Sequence, residues 1–414
     1  MNFKNAAAFF PGITWEMCYK DAGMIMVYLR KLYDTHCVYV NYEEKNLHFE
    51  SFRGVENVKV RKPADGLSRL SLGMTTKNLR NYIRDNAASI DLIVLYHVHS
   101  INSVIAREYK KINPGGRVLL KLDMSGEVYS RYRLWNQRKL FDKSNRSLKE
   151  HLLHLRNSFF HLKHFRRLID LSDYIVIETS AMFDTLQTGG LFGRDVSGKL
   201  IHMPNGADEF GIEETGIKLK TFQEKENLIL NIGRIGDPNK NCEMLAEAAS
   251  MLDLRDWKIV FIGEVYPEFQ GYYDKLVLDN PALKDKIVLT GAIRDKKTLY
   301  EYYNRAKVFT MTSYRESFGI VLVEALHFGN YIIATDTGAA RDVTSGGTIG
   351  RIIPPGDTDA LARELAKVIS GETPFDEKFR RSTELSREKF NWEKIVLNSM
   401  KEIDKIEARR GTKV

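Results

Sequence analysis

The 414-residue sequence predicts an α/β protein built from two doubly wound domains. Short β-rich apolar runs alternate with helical patterns from end to end, the signature of parallel sheets covered by helices. The length suits two or three domains, each able to bury its own core. Hydrophobic residues at 43% and charged residues at 28% exclude disordered, collagen-like and coiled-coil classes, and 10 prolines leave no material for a Pro-rich linker. The domains are therefore expected to be closely coupled.

In chain order, the first half offers the strand patterns AAAFFPG, HCVYVNY, VKV, DLIVLYH, RVLLKLD and YIVIETS, and ends with KLIHMPNG at 199–206. The polar stretch 207–227 reads as the boundary. Six strands follow: LILNIG (228–233), KIVFIG (258–263), KIVLTG (286–291), KVFTMT (307–312), YIIATD (331–336) and GRIIPP (350–355). Helical stretches lie between them, among them NCEMLAEAASML after Asn239 and VLVEALHFG after Gly319. Two such Rossmann-like domains facing each other would place the carboxyl ends of their strands across one cleft, where ligands bind in these sheets.

The net charge of +8 points to an anionic partner without saying which. Residues 131–167 hold the excess, with eleven Lys or Arg against Asp142 and Glu150. A capping-box pattern at Ser147 and Glu150 precedes one apolar helical stripe, Leu148, Leu152, Leu155, Phe159 and Leu162. One reading is a helix packed on a sheet with a solvated cationic face. The other has Arg131, Arg133, Arg138, Lys139, Tyr132, Trp135 and Phe141 touching anionic phospholipid.

Cys18, Cys37 and Cys242 are odd in number and lack CxxC spacing, which implies neither a disulfide framework nor a zinc site and fits a reducing cytoplasm. The apolar start is broken by Pro11 and Gly12, too short for a signal peptide, and no run is long enough to span a membrane. Any membrane contact is expected to be peripheral, at the inner face. No DxD between apolar strands and no spaced His/carboxylate set predicts a metal, and no cofactor is expected.

The motif ESFGIVLVE, Glu316 to Glu324, carries the strongest chemical signal. A strand, a loop and Gly319 precede a helix, so the amides of Phe318, Gly319 and Ile320 are expected to be free for a phosphate. Eight positions along a helix span about 12 Å, too far for a tight acid/base pair. That span suits opposite ends of one elongated ligand, Glu316 at a sugar and Glu324 at a nucleotide's ribose. In NIGRIGDPNKN (231–241), Gly233, Arg234 and Lys240 lie on a loop at a strand's carboxyl end. Two fixed cations there suit a diphosphate and the charge of a departing nucleoside diphosphate.

With GR followed by Lys240, then ExFG and a second Glu eight residues after the first, the chain resembles the large retaining GT-B glycosyltransferase family, family 4 or group 1 type. LSDYIVIETS followed by MPNGAD, and FNWEKIV near the end, are further matches. The resemblance covers about 170–400. It implies an N-terminal acceptor domain at 1–206, a nucleotide-sugar domain at 207–389, and a final helix at about 390–414 packing back on the first domain. It assigns Arg234 and Lys240 to the diphosphate, Glu316 to the donor sugar, Glu324 to the ribose, the Phe318–Ile320 backbone to phosphate and sugar, and Ile293 to the base.

The first half departs from that family. Where a Gly-Gly loop is usual, only Gly12, Asp21 and Gly23 appear, so Gly23 is placed near the donor phosphates and Asp21 near the acceptor. LDMSGE stands where the family commonly has a His, which puts Asp123 beside the reacting carbon; His97 and His99 follow strand DLIVLY, where they either face the acceptor or serve a structural role. The implied reaction is metal-independent hexosyl transfer from a UDP-sugar, or a GDP-sugar, to a saccharide or lipid-linked hydroxyl with retention, as in envelope polysaccharide synthesis. Alternatives are a nucleotide-sugar epimerase of the same architecture and a non-catalytic partner subunit or binding protein. No nucleic-acid-binding module is visible.

Overall fold

The computed structural model describes residues 2–42, 49–60, 71–123 and 161–412. They form two compact units, Met1–Pro204 with Trp392–Val414, and Asn205–Asn391. The first unit holds eight strands: β1 (Asn5–Phe10), β2 (His36–Asn41), β3 (Ser51–Phe52), β4 (Val55–Lys59), β5 (Leu92–Tyr96), β6 (Arg117–Leu122), β7 (Tyr174–Ile177) and β8 (Leu200–His202). Their order is β3-β4-β2-β1-β5-β6-β7-β8, and every pair is parallel except β3 with β4. Both faces are covered, which is why these strands read as continuous apolar runs. Phe9, Val40, Ile93, Leu120 and Ile175 enter one core, and helix Asp21–Tyr33 buries Met24, Ile25 and Leu29.

The second unit holds six parallel strands: β9 (Glu226–Ile232), β10 (Lys258–Ile262), β11 (Ile287–Leu289), β12 (Ala306–Met311), β13 (Tyr331–Thr335) and β14 (Arg351–Ile353). Their order is β11-β10-β9-β12-β13-β14. Successive residues serve opposite faces, as a pleated strand requires. Leu230, Val260 and Phe309 enter one core, while Ile229, Ile259 and Val308 enter the other.

All thirteen expected strand patterns are strands, while the two-residue β3 has no pattern of its own. The polar stretch after Pro204 is structured rather than a bare connection. Asp208 caps helix Glu209–Glu214 by accepting from the Gly211 amide, and Thr221 and Glu224 form a capping box. Its polarity comes from caps and exposed turns. Residues 124–160, with Ser147, Glu150 and most of the basic segment, lie outside the described residues. A helix over 161–171 carries Lys163, Arg166 and Arg167, of which Arg166 Nε donates to Phe192 O. No described helix is long and apolar enough to cross a membrane. All three cysteines are free and buried, with burial pushing each thiol up to about 12.

Candidate functional site

In the second unit, β9 and β12 are neighbours, so the loops at their carboxyl ends meet. Asn239 Nδ2 donates to Arg315 O at 2.8 Å, the Tyr314 amide to Asn239 O at 2.8 Å, and Thr312 Oγ1 to Lys240 O at 3.0 Å. This stitching brings Lys240 onto Glu316. Lys240 Nζ is 2.5 Å from Glu316 Oε1, which also accepts from Ser313 Oγ at 2.7 Å. The two line a small pocket with Asn231, Gly233, Thr312 and Ser313. Gly233 is anchored by its amide on Ile262 O. Arg234 points differently: it is 59% exposed and pairs with Asp237 Oδ2 at 2.6 Å. Each of the two expected cations thus already has a carboxylate partner.

Gly319 adopts φ +86°, the left-handed region in which a Cβ is disfavoured, and helix Ile320–His327 starts directly after it. Among the described residues, the amides of Phe318, Gly319 and Ile320 donate to no protein group, leaving three N–H groups at a helix start. The Phe318 side chain is buried beneath them. This geometry corrects the helical spacing of the two glutamates. Glu316 lies on the loop, not on the helix, so the 1.5 Å rise per residue holds only from Ile320 to Glu324.

Glu324 is buried in the second turn of that helix. Its Oε2 accepts from the Tyr303 hydroxyl at 2.8 Å, and its Oε1 is 3.8 Å from Lys296 Nζ. Burial first, then Glu324 itself, pushes the Tyr303 phenol well above its ordinary value, so it remains a donor at neutral pH. Ile293 is half-buried against the same core.

In the first unit, four elements converge at the carboxyl edge of the sheet. Lys121 in β6 is 0% exposed, with its Nζ 3.1 Å from Asp21 Oδ2 and 2.5 Å from Glu178 Oε1. Asp123, just past β6, has Oδ1 2.8 Å from Nδ1 of His97, which follows β5 at φ +63°. Burial pulls Lys121 down, but Asp21, Glu178 and Asp123 outweigh it and hold it above its ordinary value. Burial pushes the Glu178 carboxyl up despite Lys121. For Asp123 burial acts upward, yet the bond from His97 and the charge of Lys121 hold it below the usual range, and Asp123 in turn raises His97.

The edge therefore gathers Asp21, His97 and Asp123 as expected candidates, and adds Lys121 and Glu178, which sequence reasoning missed. The signal was a lysine inside the apolar run RVLLKLD and a glutamate ending YIVIE. Two other candidates are placed by structural needs. His99 is the cap of helix Ser100–Ile112, its Nδ1 accepting from the Ile101 amide at 3.4 Å. Gly23 is buried within helix Asp21–Tyr33, and its amide donates to Lys20 O, so it has no free donor for a phosphate. A Cβ there would stand 2.2 Å from Cys18 O. No group of three or more His, Cys, Asp or Glu among the described residues is placed to hold a metal.

Residues 213–386 match the family model of glycosyl transferases group 1. The chain is 29% identical over 177 residues to the lipopolysaccharide core biosynthesis mannosyltransferase LpcC of Rhizobium leguminosarum bv. viciae, covering 41% of this chain and 47% of that protein. It is also 29% identical over 175 residues to the phosphatidyl-myo-inositol mannosyltransferase of Mycolicibacterium smegmatis, covering 42% of this chain and 43% of that one. The matched stretch spans about half the length of these curated relatives. Among solved structures, the sucrose-phosphate synthase from Thermosynechococcus elongatus superposes with a TM-score of 0.68 at 16% identity, over 98% of this chain and 100% of that one. Residues 213–386 are thus similar to the group 1 glycosyltransferases, and the chain's two sheets have the GT-B fold.

Proposed function

We propose that the chain transfers a hexosyl group from a nucleoside diphosphate sugar, with a UDP-sugar favoured, to a hydroxyl of a saccharide or lipid-linked acceptor, with retention at the anomeric carbon. The observation that carries this reading is the Lys240–Glu316 pair beside the unpaired amides of Phe318–Ile320. A diphosphate would take these amides and Lys240 as donors, with Arg234 turning inward from Asp237. Glu316, released from Lys240, would then accept from the sugar's hydroxyls, and Glu324, braced by Tyr303, from the ribose. Ile293 would pack on the base.

The anomeric C–O bond to the diphosphate breaks as the bond to the acceptor oxygen forms on the same face. The acceptor's proton passes to the leaving diphosphate, so no protein nucleophile is needed. Lys240, Arg234 and the amides stabilise the charge that develops on the leaving group, where fixed donors act most strongly. In the first unit, Asp21, His97 and Asp123 would handle the acceptor side. Two relatives, a lipopolysaccharide core biosynthesis mannosyltransferase and a phosphatidyl-myo-inositol mannosyltransferase, support a membrane-linked acceptor, which the chain would meet at the inner membrane face.

A thermal-shift screen of nucleoside diphosphate sugars tests the donor. A ligand at a hundred times its Kd adds about 2.7 kcal/mol of stability. Glu316→Ala is expected to abolish turnover, and NMR of the product should show the donor's anomeric configuration. Because lysine and arginine supply the positive charge, activity should survive EDTA. Loss of turnover on chelation would require a divalent cation instead.

A further inference from the structure

The buried cluster at the edge of the first sheet is more than a neutralised pair. Among the described residues, three carboxyl groups, of Asp21, Glu178 and Asp123, face the ammonium of Lys121. Taking an ammonium out of water costs several kcal/mol even after relaxation, and an apolar residue would fill the same place in the strand without that cost. Past Arg117 at its start, β6 is otherwise apolar, with Val118, Leu119, Leu120 and Leu122 all buried. Lys121 and Asp123 are two residues apart along one extended chain, so they stand on the same side of the sheet. The Lys121 carbonyl also accepts from the His97 amide at 2.9 Å, tying β6 to the residue that pairs with Asp123.

We propose that Lys121 is a positioning residue for the transfer: it holds Asp21 and Asp123 in register at the carboxyl edge of the first sheet, where an acceptor hydroxyl is bound. The proposal rests on the glycosyl-transfer reading above. Among the described residues, Lys121 is faced by Asp21 from helix Asp21–Tyr33, Asp123 from just past the end of β6, Glu178 from just past β7 and His97 from just past β5. Behind them stand Tyr96, whose hydroxyl donates to Ala22 O at 3.1 Å, Tyr39, which donates to Gly23 O, and Cys18. Burial raises the Asp123 carboxyl, while the bond from His97 and then the charge of Lys121 lower it, so Lys121 contributes to keeping it ionised.

Lys121→Met alone strands the buried Glu178 carboxyl and the partly buried Asp21 carboxyl and can prevent folding. The double variant Lys121→Met, Glu178→Gln removes the charge pair together and keeps the test open. The probes are UDP-glucose, UDP-N-acetylglucosamine and GDP-mannose as donors, with n-octyl glucoside and n-octyl mannoside as acceptors. In the folded double variant, kcat/KM for the acceptor is expected to fall about tenfold or more while donor KM stays within about twofold. The acid limb should move up, because a carboxylate that loses a nearby cation ionises less readily. A native chain that uses a donor, with kinetics and acid limb unchanged in the double variant, overturns the positioning role and leaves the transfer reading standing. A native chain that neither binds nor turns over any of the three donors overturns both.

Discussion

Glu316 and Glu324 reach their places by different means. Glu316 is held on a loop by Lys240 and Ser313, and Glu324 on a helix by the hydroxyl of the fully buried Tyr303. The same helix ends at His327, where burial, reinforced by Arg387, pushes the imidazole down to about 4 despite Glu209 Oε1 at 3.8 Å. The unfolded chain binds that proton near pH 6.5 and the folded chain does not. His327 therefore contributes stability that is present above about pH 6.5 and lost as pH falls towards 4. Over that window the loss should be of the order of 3 kcal/mol, and His327→Phe should flatten it in urea titrations at pH 7 and pH 5. At this scale the sequence was legible where charge lay on loops, as at Arg234, Lys240 and Glu316. It was opaque at Lys121 and Glu178, because pairing between neighbouring strands depends on register, which no local pattern contains.

The strands were the most readable elements, each an apolar run closed by Gly, Pro or a polar residue, since a sheet covered on both faces tolerates little else. Helix limits were less so: Gly319 at φ +86° separates a loop from a helix within one short motif, which overturns the spacing drawn from continuous helix. Gly23 raises a related point. It lets the turn Trp15–Cys18 lie against helix Asp21–Tyr33, with Cys18 O 2.2 Å from where a Cβ would stand. Gly23→Ala must push the two apart, and the expected loss is about 1–3 kcal/mol, read as a lower urea midpoint. An unchanged midpoint would mean that the turn shifts without cost.

At the scale of the whole chain, helix Trp392–Gly411 belongs to the first unit although the second precedes it in sequence. Glu407 is its main tie, accepting from Arg117 Nη2 at 2.6 Å, Tyr174 Oη at 2.7 Å and Arg410 Nη1 at 2.6 Å. Burial acts upward on that carboxyl, yet Arg117 and Tyr174 hold it below the usual range. Glu407→Ala should cost about 1.5–3 kcal/mol, the range for hydrogen bonds to charged groups, while leaving the Kd of the proposed nucleotide-sugar donor unchanged. A weakened donor Kd would show that the two effects are not separable.

The same excursion of the chain bears on how the protein is made. Residues 205–391 are contiguous and can finish folding as they leave the ribosome, whereas residues 2–204 must wait for the last helix before Arg117 and Tyr174 meet Glu407. The half translated first is thus completed last. A chain truncated after Asn391 should resist protease in the later half and be cut in the earlier one.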